Sequence, residues 1–208
     1  MKIDFRLYCI SPGNAGAVPL EDTIIRAAKA GAKAFQLREK HLPDDEFRAL
    51  AIKIAALLKP FSAFLFLNNF LNSREMIAEE LGLHVHLPEQ NIHEIEGIRR
   101  ARGESVLIGA STHSLESAKA AERAGADLIL FGPVFETESK KKFGSPQGVE
   151  RLKTVCGEVK LPVFAIGGIT PERAKECRSV GAHGVACISA VMEAPDVGLA
   201  VQQFGAVL

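Results

Sequence analysis

The run Phe35-Gln36-Leu37-Arg38-Glu39-Lys40 alternates apolar side chains with long polar ones. A strand with that pattern turns Phe35 and Leu37 to one face and Gln36 and Arg38 to the other, with Lys40 in the loop beyond. A guanidinium fork and an ammonium at one strand end suit a diphosphate. A solvated strand end, with Glu39 pairing either cation, accounts for the same residues equally well. Leu65-Phe66-Leu67-Asn68-Asn69 ends in two amides, which order oxygen ligands or water but are also favoured in turns. Ile108-Gly109-Ala110-Ser111-Thr112-His113-Ser114 puts a hydroxyl and an imidazole directly after a strand. An imidazole can carry protons near neutral pH, while Ser111 or Ser114 can equally cap the next helix.

Three further stretches suit a bound anion. From Phe131 to Lys142 a strand opens into a loop with glycine, hydroxyls and three lysines, long enough to cover a multiply charged ligand. The alternative is a solvated charged loop. Phe164-Ala165-Ile166-Gly167-Gly168-Ile169-Thr170 places two glycines after a strand, and Ala186-Cys187-Ile188-Ser189-Ala190 follows the next strand, with amides opening the last helix. A lone Gly-Gly would be only a turn. Paired across neighbouring strands, the two segments match the phosphate cradle of a (β/α)8 barrel.

These residues need elements to position them. Short apolar runs are expected as strands at Phe5–Ile10, Ala34–Arg38, Ala63–Asn68, Leu83–Leu87, Val106–Ala110, Leu128–Gly132, Val163–Ile166 and Gly184–Ile188. Helical periodicity falls between them, at Leu20–Ala30, Asp44–Leu58, Ser73–Leu81, Ser114–Ala124, Pro171–Val180 and Val197–Phe204, and more weakly at Ile92–Arg102 and Val149–Cys156. Gly31, Gly82, Gly125 and Gly181 stand where helices would end before a strand. Thr170-Pro171 reads as a cap followed by proline at the first helical position, and Ser114 as a second cap. Strict alternation predicts an α/β fold with a parallel sheet. An open doubly wound sheet shares that alternation, but its ligands collect at one switch point. Here polar residues follow nearly every strand, which favours a single (β/α)8 TIM barrel over residues 1–208, with all these ends meeting at one mouth.

Composition narrows the function classes. Lys plus Arg and Asp plus Glu number 25 each, so no net field directs the chain to nucleic acid or an acidic membrane. No apolar run approaches the ~18 residues of a membrane span, and the charged start lacks a signal peptide's apolar stretch. Cys9, Cys156, Cys177 and Cys187 are scattered, as expected of free thiols in a reducing cytoplasm. The oligomeric state, including a homo-oligomer, stays open.

In order along the chain, Gln36-x-Arg38-x-Lys40, Asn68-Asn69, Gly109-x-Ser111-x-His113, Gly132-Pro133-Val134-Phe135-x-Thr137-x-Ser139-Lys140, Pro146-Gln147-Gly148, Ile166-Gly167-Gly168-Ile169 and Ile188-Ser189 resemble the thiamin phosphate synthase/TenI superfamily. The resemblance implies a (β/α)8 barrel that takes small phosphorylated thiamin precursors. Synthases of this superfamily join hydroxymethylpyrimidine diphosphate to a thiazole phosphate carboxylate with Mg2+, releasing diphosphate and carbon dioxide. TenI-type enzymes bind the thiazole phosphate and only shift its tautomer. Carried over by position, Gln36, Arg38, Lys40, Asn68, Ser111 and Lys140 would hold the pyrimidine diphosphate. Thr137, Glu138, Ser139, Gly168, Ile188 and Ser189 would hold the thiazole phosphate, and His113, Lys140 and Ser111 would carry the chemistry.

The departure lies at the metal. Synthases place one aspartate directly after the asparagine and another after strand four; this chain has Asn69 and, as nearest match, Glu89. The surviving diphosphate contacts put a synthase ahead. A magnesium-independent tautomerase using His113 follows, and a non-catalytic thiazole phosphate sensor is the reading from a different class.

Overall fold

Eight short parallel strands pair in chain order, and the last returns to the first. They are β1 Leu7–Ile10, β2 Ala34–Leu37, β3 Phe64–Asn68, β4 His84–Leu87, β5 Ile108–Thr112, β6 Leu128–Phe131, β7 Val163–Ile166 and β8 Gly184–Cys187. Because β1 pairs with both β2 and β8, the sheet is a closed barrel. The computed structural model describes residues 3–13, 18–68, 72–137 and 146–208. The described helices are α1 Leu20–Lys29, α2 Asp44–Leu58, α3 Asn72–Glu80, α4 Ile95–Arg102, α5 Leu115–Ala124, α6 Gly148–Glu158, α7 Pro171–Ser179, α8 Ser189–Met192 and α9 Val197–Gly205. None of them is long and apolar enough to cross a membrane.

Side-chain alternation sorts the core into two layers. Outward residues such as Phe35, Leu37, Leu67, Val85, Ile129 and Val185 pack against the helices. Inward residues fill the lumen, chiefly Tyr8, Ile10, Phe66, Leu128, Leu130 and Phe164. Phe5 closes the end from which the strands start, with its ring centroid 5.4 Å from Phe64 and 5.3 Å from Phe164. Apart from His84 at the start of β4, the polar residues of the inward faces are left at the opposite end.

Local signals act as their chemistry requires. Ser114 and Ser117 form a reciprocal capping box at the start of α5, with serine doing what glutamate more often does. Thr170 accepts from the Arg173 amide ahead of Pro171. Gly125 ends α5 at φ 95°, a conformation that costs a residue with a Cβ.

Two expectations are corrected. The fifth strand is Ile108–Thr112 rather than Val106–Ala110. Asp127 holds its first amide at Ile108 (2.6 Å), and Thr112 Oγ1 donates to the Leu130 carbonyl (3.1 Å) at its far end. Ser111 is therefore a strand residue facing the lumen, not a loop cap. The Ser189 and Ala190 amides do not open the last helix either; they start the four-residue α8, and α9 begins separately at Val197.

Candidate active site at the barrel mouth

The β1 and β2 ends are knitted together by backbone and hydroxyl. Ser11 donates its amide to the Gln36 carbonyl (2.9 Å), and its Oγ accepts from the Arg38 amide (2.7 Å). Gln36 is buried, and its Nε2 reaches the Tyr8 hydroxyl at 3.5 Å. Burial pushes the Tyr8 phenol well above its ordinary range, so it is a neutral partner. Arg38 is half-buried at the rim, makes no ion pair among the described residues, and has its pKa lowered by desolvation, with the Glu39 charge opposing. Glu39 itself is buried; it accepts from the Gly13 amide (3.2 Å) and faces His41 Nδ1 (3.7 Å). Lys40 is exposed beyond it.

Across the mouth, β3, β4 and β5 supply three polar inward residues. Asn68 is 7% exposed, and its Oδ1 is buried without a hydrogen-bond partner among the described residues. Such an orphan costs about 1–3 kcal/mol unless a ligand or water meets it. In register beside it on β4 stands His86, wholly buried. His86 Nε2 lies 3.0 Å from Ser111 Oγ on β5. Burial, with Arg38 adding to it, pushes the His86 pKa down to about 3, so the ring is neutral. Sequence reasoning missed His86, although His84-Val85-His86-Leu87 carries the signal: in a strand with apolar outward residues, both histidines must turn inward.

His113 sits on the rim rather than in the lumen. Its amide donates to Glu89 Oε1 (3.0 Å), and its Nδ1 is hydrogen-bonded to the Gly132 carbonyl. With Phe131, Gln147 and Arg151 it also borders a cleft of about 360 Å³ between α5 and α6.

The other half of the mouth belongs to β6, β7 and β8. The chain after β6 folds back over β7, with the Val134 amide on the Ile166 carbonyl (2.8 Å) and the Phe135 amide on that of Gly167 (3.1 Å). Thr137 is half-buried at the end of this crossing. Ile166 is in register with Ala186, so Gly167-Gly168 and Ile188-Ser189 leave the ends of neighbouring strands. The Val191 and Met192 amides return to the Ile188 carbonyl (3.3 and 2.8 Å), leaving the Ser189 and Ala190 amides as donors without an intrahelical acceptor. Gly168, Ile188 and Ser189 thus follow two adjacent strands of the barrel. Asn69, Glu138, Ser139 and Lys140 lie outside the described residues. Among the described residues no group of three or more His, Cys, Asp or Glu could hold a metal ion.

Comparison with known proteins bears on this geometry. The thiamine monophosphate synthase family matches residues 7–191. A putative thiamine-phosphate synthase 2 of Aquifex aeolicus is 38% identical over 188 residues, spanning 90% of this chain and 98% of the relative. A putative thiamine-phosphate synthase of Geobacter sulfurreducens is 39% identical over 197 residues, 94% and 90% of the two chains. The solved thiamine phosphate pyrophosphorylase of Pyrococcus furiosus superposes with a TM-score of 0.84 at 32% identity, covering 97% of this chain and 94% of that one.

Proposed function

Because the chain belongs to the thiamine monophosphate synthase family, we propose that it joins hydroxymethylpyrimidine diphosphate to thiazole phosphate carboxylate, releasing diphosphate and carbon dioxide. The observation that carries this reading is the unpartnered Asn68 oxygen at a mouth shared with Gln36, Arg38 and Ser111. A bare phosphate cradle on β7 and β8 has no use for such a set on β2, β3 and β5.

The chemistry follows from the residue types. The bond from the pyrimidine methylene to oxygen breaks, and its electron pair leaves with the diphosphate. Arg38, Lys40, Ser111 and, from the sequence, Lys140 stabilise that charge. The thiazole nitrogen attacks the pyrimidine cation; the carboxylate departs as carbon dioxide, and the electron pair left on the thiazolium ring carbon takes up a proton from solvent. Gly168, Ile188 and Ser189, with Thr137, Glu138 and Ser139, hold the thiazole phosphate, so positioning and exclusion of water replace a protein nucleophile.

Magnesium accompanies the diphosphate in this proposal. The chain's own residues do not build a strong site for it: Glu89 Oε1 already accepts from the His113 amide, and Asn69 offers a neutral amide. A bound magnesium ion would take its oxygens mainly from the diphosphate and help to neutralise its charge. Small phosphorylated thiamin precursors are the proposed partners. The proposed setting is the cytoplasm, consistent with four free cysteines.

A tautomerase is the second reading, favoured by one observation. The Gly132 carbonyl can only accept, so the His113 Nδ1 must carry the proton and Nε2 presents a basic lone pair. Purified protein incubated with both substrates and magnesium should form thiamin phosphate. Tautomer exchange without magnesium, and no thiamin phosphate, would assign the second activity instead.

A further inference from the structure

We infer that His86 is a positioning residue for the proposed reaction: its Nε2–H donates to Ser111 Oγ, so that the Ser111 hydroxyl proton is directed into the mouth, toward an anionic diphosphate oxygen. The inference rests on the synthase reading of the mouth.

The imidazole occupies room that only a glycine leaves, because a Cβ on Gly109 would stand 2.5 Å from His86 Nδ1 and 3.2 Å from its Cε1. The ring's other neighbour is Tyr8, edge-on at 5.9 Å between centroids. His86 Nδ1 therefore faces the Gly109 backbone with no hydrogen-bond partner among the described residues, and it is fully enclosed.

A neutral imidazole carries one proton, on one of its two nitrogens. Placed on Nδ1, that proton would be a buried donor with nothing to meet it, which native interiors almost never contain; an under-satisfied acceptor is tolerated more readily. The proton consequently belongs on Nε2, where Ser111 Oγ stands 3.0 Å away to accept it. A hydroxyl that accepts from one side keeps its own hydrogen for the other. Ser111 is only half-buried at the end of β5, so the remaining direction is the mouth. The opposite tautomer would turn Ser111 into an acceptor facing the ligand, which is the wrong polarity for a diphosphate. His86 thus decides which way a rotatable hydroxyl points, without touching the substrate itself.

Two measurements test this. In the wild-type protein, long-range 1H–15N correlation of the imidazoles should report His86 as the Nε2–H tautomer; the Nδ1–H form would overturn the inference with no substitution needed. The second uses hydroxymethylpyrimidine diphosphate as titrant. His86→Leu and Ser111→Ala should each weaken its binding roughly 10- to 150-fold, as loss of a hydrogen bond to a charged group does. The double variant should be no weaker than Ser111→Ala alone, because both changes remove the same oriented hydroxyl. His86→Gln, which returns an amide donor at the Nε2 position, should recover most of the loss. Additive losses, or no rescue by glutamine, would mean that His86 merely fills the lumen. If the wild-type chain does not bind the pyrimidine diphosphate, the synthase reading falls and this inference with it. If it binds and the tautomer or the cycle disagrees, only the inference falls.

Discussion

Arg173 donates to the Gly168 carbonyl at 2.7 Å while its guanidinium lies over the Phe135 ring, 4.7 Å from the centroid. The contact ties the first turn of α7 to the crossing loop after β6 and commits the Gly168 oxygen away from the mouth. What Gly168 can still offer a phosphate is its amide.

Gly168→Ala should therefore damage one ligand selectively. At φ 64° a side chain is strained, and the new Cβ would collide with the Glu136 carbonyl and the Phe135 side chain. Thiazole phosphate affinity should fall at least about tenfold, with about 1–3 kcal/mol lost from folding stability. Pyrimidine diphosphate binding should change far less. Calorimetric titration of both ligands checks this; an unchanged thiazole phosphate affinity would place its phosphate elsewhere.

The same residues show what a sequence can reveal. Gly167-Gly168 and Ile188-Ser189 could be proposed as a cradle from the sequence because such a cradle depends on backbone amides at strand ends, which glycine and strand order mark directly. Gln36 and Arg38 were legible through period-two alternation. The His86–Ser111 pair was not, since it depends on which inward residues of two strands share a level, and that follows from barrel stagger rather than local pattern. Ser111 was misplaced for a related reason. Nothing local in Ile108-Gly109-Ala110-Ser111-Thr112 shows that Asp127 would hold the strand's start and the Leu130 carbonyl its end.

Two inward histidines, His86 buried and His84 half-buried, should make folding stability fall in mild acid. Burial lowers the His84 pKa to about 4, helped by nearby Arg102, and His84 Nδ1 accepts from the Leu107 amide (3.1 Å), which needs the unprotonated ring. His86 is lowered to about 3. Both values lie below the ordinary 6.5, so the unfolded chain takes up protons that the folded chain refuses. The stabilisation is complete above pH 6.5 and declines as pH falls toward the folded values. Between pH 7.5 and 5.0 each histidine should cost about 2 kcal/mol by this linkage. Urea unfolding at the two pH values tests it, with His84→Gln expected to remove about half of the difference. A flat profile would mean that these rings ionise freely in the folded protein.

His113 separates the two candidate activities. With Nδ1 on the Gly132 carbonyl, its Nε2 is the basic nitrogen, and His113→Ala should lower tautomer exchange on the thiazole phosphate by about 10²–10⁴-fold if that ring carries the proton. Thiamin phosphate formation should drop far less in a synthase, whose departing diphosphate requires no proton carrier at this position. Exchange of ring protons with deuterated solvent, followed by NMR, reads the first; product formation reads the second. Collapse of the exchange with no synthase activity in either protein would make the chain a tautomerase.

The metal supplies the sharpest comparison, because the sequence departs from the synthase pattern there. Position 69 carries an amide where synthases place a carboxylate, and a hard dication gains far more from a carboxylate oxygen than from an amide. Asn69→Asp should tighten magnesium-dependent binding of the pyrimidine diphosphate by roughly tenfold, about 1.4 kcal/mol, and raise turnover when magnesium is limiting. Glu89 allows the opposite change. One of its oxygens holds the His113 amide at 3.0 Å, a role that the glutamine carbonyl retains, so Glu89→Gln removes the charge while keeping the backbone contact. Its magnesium dependence should shift to higher concentration, whereas diphosphate binding measured without metal should change little. Titrations of each variant at several magnesium concentrations separate these effects from a general weakening. If neither substitution moves the magnesium dependence, positions 69 and 89 do not contribute to the metal, and it rides on the diphosphate alone.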